Sequence, residues 1–82
     1  MINIEKLKNI LGRKVKLNNG KRDLKDINLG EIAREIGCSS GDVLSGLKNL
    51  QISGDIKRLM PSGFSKEDYT LTVPENSSIL NR

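Results

Sequence analysis

The chain has 82 residues and a net charge of +4, enough for one domain with a thin core and no more. A single cysteine excludes an internal disulfide. The absence of histidine and of any CxxC pair argues against a zinc site and against ordinary acid–base catalysis, so the expectation is a non-enzyme with no cofactor and no metal. No apolar run approaches the roughly 20 residues of a membrane span and no signal-peptide pattern opens the chain, so a reducing, cytoplasmic setting is expected.

The first predicted helix spans residues 3–11. Asn3 can cap it, Glu5 suits its first turn, and Ile4, Leu7, Ile10 and Leu11 form an apolar stripe. Gly12 weakens or ends it. Residues 13–27 admit two readings. In one, Val15 and Leu17 alternate with Lys14 and Lys16 as a short strand, Asn19-Gly20 makes a hairpin turn, and Leu24 and Ile27 return along a partner strand. In the other, the helix continues through Leu17 and a loop follows. Ile27 and Leu29 bracket a short first strand.

Asn28, with Glu31 three residues on, reads as the capping box of a second helix carrying Ile32, Ala33 and Ile36 at helical spacing. Gly37 stops it, since glycine alone takes the left-handed conformation without penalty. Cys38 follows as a small buried hydrophobe in the turn rather than a nucleophile. Ser39 caps a third helix, to residue 53, with Asp42 in its first turn and Val43, Leu47 and Leu50 on one narrow arc. Gly54 ends that helix. Residues 55–60 and 69–73 read as two strands, the second with Tyr69, Leu71 and Val73 alternating against Thr70 and Thr72. Between them, Pro61, Ser62 and Gly63 break the strand in a turn-rich tip. Pro74 closes the last strand, and residues 75–82 read as a flexible tail.

Ile32, Ala33, Ile36, Gly37, Ser39, Val43, Leu47, Leu50, Gly54 and Ile56 together resemble the winged helix-turn-helix pattern of prokaryotic DNA-binding regulators, over residues 28–73. The fold that the resemblance implies is α+β: a three-helix core with a C-terminal two-stranded β-wing, here with an extra N-terminal hairpin under the first reading of residues 13–27. The domain would cover residues 1–74, with 75–82 as its tail.

What the resemblance implies for function is binding of double-stranded DNA by a regulator of transcription or an accessory of replication or plasmid maintenance, alone or as a homodimer on paired half-sites. The third helix would enter the major groove with Ser40, Gly41, Ser45, Lys48 and Asn49 turned to it. Lys48 suits phosphate or guanine, Asn49 suits adenine, and the serines suit phosphate or base edges. The wing would add Lys57 and Lys66. Phe64 near its tip is read as a local cap on the core in preference to a wedge against DNA.

The charge is unevenly placed. Residues 12–26 hold six basic and two acidic side chains, and the other 67 residues hold eight of each. Arg13, Lys14, Lys16, Lys21 and Arg22 are therefore candidate phosphate contacts. If they lie near the N-terminus of the third helix they extend its footprint; on the far side they would bind something else. The competing interpretation is a solvated loop. The third helix itself carries one lysine, no arginine and an early aspartate, which leaves room for an alternative: a protein-interaction module docking a partner through Leu44, Ile52, Ile79 and Leu80. RNA binding is a weaker third option, because stacking aromatics are nearly absent.

Overall fold

Asn3 opens the first helix by accepting the Lys6 N–H on its side chain at 3.2 Å. The computed structural model describes residues 2–62 and 65–80. Its elements, in chain order, are α1 (Ile4–Leu17), β1 (Asp23–Asn28), α2 (Leu29–Ile36), α3 (Ser40–Ser53), β2 (Arg58–Pro61) and β3 (Asp68–Thr72). The architecture is α+β, with three helices and one antiparallel sheet in the order β1-β3-β2.

The continuous-helix reading of residues 13–17 holds, and no N-terminal hairpin forms. Val15 is buried and Leu17 is exposed on the last turn of α1. Gly12 sits inside the helix rather than at its end. Asn19 and Gly20, the expected hairpin turn, instead close the helix. Both take left-handed backbone angles (φ 56 and 76), and the Gly20 N–H donates to the Val15 carbonyl at 3.1 Å. A dipeptide suited to left-handed geometry serves a hairpin and a helix C-terminus equally well, and sequence spacing does not separate the two.

Leu24 and Ile27 do lie on a strand, but their partner is β3: Leu24 stands opposite Leu71 and Ile27 opposite Tyr69. They are three residues apart, so a regular strand would turn them to opposite faces. A bulge at Lys25–Asp26, with Asp26 at φ 56, slips the register by one and buries both. β2 pairs with β3 on the other side, Leu59 opposite Leu71, and Pro61 ends it on the sheet's edge, where its missing N–H costs nothing.

α2 and α3 follow the expected plan. Asn28 accepts the Glu31 N–H at 3.0 Å and Ser39 the Asp42 N–H at 3.1 Å. Gly37 and Gly54 end the two helices in the left-handed region (φ 90 and 91). Ile32 and Ala33 of α2 and Val43, Leu47 and Leu50 of α3 meet Leu7, Ile10, Leu11 and Val15 of α1 in one core, closed below by Ile56, Leu71 and Val73. Cys38 is half-buried at the edge of that core.

Packing does not stop at residue 74, which corrects the expectation of a loose tail for residues 75–80. Ser77 and Ile79 are each 1% exposed. Asp55, just past α3, receives the Ser78 N–H on its carboxylate at 3.0 Å and the Ser77 hydroxyl on its carbonyl at 2.8 Å. Lys8 of α1 approaches the same carboxylate at 3.7 Å. Gly12 makes the room: a Cβ there would lie 2.9 Å from the Ile79 carbonyl oxygen. The expectations for Gly63, Phe64 and the last two residues, Asn81 and Arg82, lie outside the described residues. No helix among the described residues is long and apolar enough to cross a membrane.

Candidate nucleic-acid interface

Burying Val43, Gly46, Leu47 and Leu50 turns the opposite side of α3 to solvent. Gly41, Ser45, Lys48 and Ile52 recur there at spacings of four, three and four, and Asn49 lies beside them, all exposed. The first half of this face carries only small groups, a glycine and a serine, so another molecule's backbone can come close. The cation and the amide follow in the second half.

Ser40 is placed differently from its neighbours. It is half-buried, and its hydroxyl donates to the Glu67 carboxylate at 3.2 Å. Glu67 lies in the turn between β2 and β3, and its carbonyl accepts the Leu29 N–H at 2.8 Å. Its other carboxylate oxygen lies 2.7 Å from where a Gly30 Cβ would stand. One glutamate thus spans the first turns of α2 and α3, where a helix offers partial positive charge to anions. Asp68 next to it accepts the Asn28 side-chain amide at 2.9 Å. Glycine in the first turn of α2 is the sequence signal for this close approach. Lys66 is exposed in the same turn.

The basic segment lies elsewhere. The sheet has two ends: Asn28, Asp68 and Pro61 mark the end beside Glu67, and Asp23, Thr72 and Arg58 mark the other. Lys21, Arg22 and Lys57 gather at the second end, where α3 finishes, and line one recess together. Arg13, Lys16 and Arg22 line a second recess alongside. Lys14 and Lys21 line a third, which runs along β1 to Asn28 and Glu31, so this part alone reaches toward the start of α2. Arg13 is ion-paired with Glu35 of α2, and Arg22 with Glu75 at 3.7 Å. Arg58, a wing residue beside Lys57, adds to this basic end opposite Thr72.

The proposed docking residues for a protein partner separate too. Ile79 is in the core and offers nothing to a partner, which removes it from that set. Leu44 and Leu80 are half-buried against the core. Ile52 is 85% exposed and lies on the same stripe as Ser45 and Lys48. Among the described residues, no three histidine, cysteine, aspartate or glutamate side chains gather as metal ligands. Compared with protein-family models, with curated proteins and with solved structures, the chain matches none.

Proposed function

We propose that this chain is a winged helix-turn-helix domain that binds double-stranded DNA as a cytoplasmic regulator of transcription or an accessory of replication or plasmid maintenance. In this reading α3 enters the major groove and the β2–β3 hairpin lies beside it. The observation that carries the proposal is the uncovered face of α3. Gly41 and Ser45 leave space for the groove wall, Lys48 reaches phosphate or a guanine edge, and Asn49 meets an adenine edge. The short turn from Gly37 to Ser39 supports it by fixing α2 against α3. A single domain of this size covers few base pairs, and a homodimer on paired half-sites doubles them.

Amide-resolved NMR of the folded chain with a duplex of mixed sequence tests this directly. Shifts concentrated at Gly41, Ser45, Lys48 and Asn49 are the expected outcome. Shifts that leave α3 untouched would refute it.

Ile52 favours a second reading, in which the same face of α3 docks another protein. A large aliphatic side chain 85% exposed beside Lys48 is an unusual surface for reading bases and an ordinary one for a protein contact.

A further inference from the structure

We infer that the chain carries a second polyanion-binding surface, apart from α3, in which Lys21, Arg22 and Lys57, flanked by Arg13 and Lys16, hold the phosphodiester backbone of a nucleic-acid duplex. The ligand class rests on the DNA reading above; the location does not.

Two backbone hydrogen bonds build the surface. The Lys57 N–H donates to the Thr72 carbonyl at 2.7 Å, and the Val73 N–H donates to the Arg22 carbonyl at 3.0 Å. Two residues distant in sequence are thereby fixed on either side of the same strand end. Lys21, Arg22 and Lys57 line one recess, Arg13, Lys16 and Arg22 the next, and Gly20 and Arg22 belong to both, so the two are continuous. Gly20 leaves the junction open, with nothing within 4 Å of where its Cβ would be.

The carboxylates nearby offset only part of this charge, and Glu35 of α2 pairs with Arg13 at the edge of the surface. Among the described residues, Asp23 and Glu75 line the first recess and no carboxylate lines the second. Asp23 already accepts the Thr72 hydroxyl at 2.9 Å. The Glu75 side chain is 89% exposed and meets Arg22 at 3.7 Å, a solvent-screened pair that an incoming phosphate can replace.

A solvated surface with no ligand is the competing explanation, and it accounts best for Lys14 and Lys16, which sit in the last turn of α1 where the helix dipole alone favours cations. Lys21, Arg22 and Lys57 lie outside every helix and have no such reason. No aromatic side chain among the described residues lines either recess, so unpaired bases find nothing to stack on, and a duplex backbone fits better than a single strand. The surface is at the end of the sheet opposite Glu67 and the start of α3, so the two faces meet different runs of phosphates. Salt-dependent affinity then belongs mainly to the basic end, and selectivity to α3.

The test is fluorescence anisotropy of a labelled random duplex over a series of salt concentrations, on the full chain. Three proteins are compared: wild type, the triple variant Lys21→Ala/Arg22→Ala/Lys57→Ala, and the double variant Lys48→Ala/Asn49→Ala. The triple variant is expected to lose roughly 2–3 units of the log–log salt slope, at about 0.9 per phosphate contact, and the double variant at most about one. Lys21→Arg/Lys57→Arg should keep the wild-type slope, which separates charge from fold. A triple variant with the wild-type slope overturns the inference even if the double variant loses binding, which leaves the α3 reading standing. Loss in the triple variant with a double variant identical to wild type overturns the α3 reading and keeps the second surface. A wild type that binds no duplex at low salt overturns both.

Discussion

The Asp55 carboxylate accepts the backbone N–H of Ser78 at 3.0 Å, and through this contact the end of α3 holds the C-terminal segment onto the core. The Ser78 N–H is the main reason that the Asp55 pKa lies below the ordinary carboxylate value; the Ser53 hydroxyl and the Lys8 ammonium act in the same direction, against the opposing effect of burial. Because the folded value lies below the unfolded one, this contribution is complete above the unfolded value, about 3.9, and is lost as pH falls through the folded value. Asp55→Asn should therefore lower stability at neutral pH by about 1–3 kcal/mol and flatten the loss of stability in acid. Urea denaturation of both proteins at neutral and acid pH checks this. Parallel curves would mean that the ionised form has no preference for the folded state.

Ile79 and Gly12 form the other half of the same attachment. Ile79→Ala should cost about 2–5 kcal/mol, as for a core aliphatic. Gly12→Ala is the sharper test. Inside a helix, alanine for glycine ordinarily stabilises by about 1 kcal/mol. Here the new Cβ meets a backbone oxygen of Ile79 at 2.9 Å, so the sign should reverse. Thermal melting decides; a stabilised Gly12→Ala would show that the segment from Ser77 to Leu80 does not pack on α1.

These attachments explain where sequence and structure part. The helix caps at Asn28 and Ser39, the stops at Gly37 and Gly54, and the stripe of Val43, Leu47 and Leu50 were legible because each depends on neighbours within a few residues. Three features depend on residues far away. Asn19-Gly20 has the same local preference in a hairpin and at a helix end, and only the burial of Val15 in the core decides. The bulge in β1 hides Leu24 and Ile27 from an alternation pattern. Ser77 and Ile79 look like tail until Asp55, more than twenty residues away, is seen to hold them. The candidate site divides the same way. The exposed face of α3 followed from its periodicity, but the separation of the basic residues from the start of α3, and the reach of Glu67 across two helices, came only with the fold.

Glu67 places a negative charge at the starts of α2 and α3, where a DNA phosphate would otherwise be drawn. Glu67→Gln keeps a hydrogen-bond acceptor for Ser40 and removes the charge. Duplex affinity should rise by about two- to five-fold at low salt, the usual size of a charge effect at a helix end, and the gain should shrink as salt is added. Isothermal titration at two salt concentrations measures it. An unchanged or weakened affinity would place the duplex away from these helix ends.

Ile52→Asp separates the two readings of α3. The side chain is exposed, so stability should stay within about 0.5 kcal/mol of wild type. On the DNA reading the added negative charge beside Lys48 weakens duplex binding without altering sedimentation. On the protein-docking reading it leaves duplex binding unchanged and removes any self-association seen by analytical ultracentrifugation.

The most direct measurement is anisotropy of a labelled random duplex titrated at low salt with wild type and with Lys48→Ala/Asn49→Ala. Micromolar binding by wild type and about ten-fold or greater weakening in the variant are expected, in line with about 1–3 kcal/mol for a base-edge contact. Equal binding by the two proteins, or none by either, would contradict the placement of α3 in the groove.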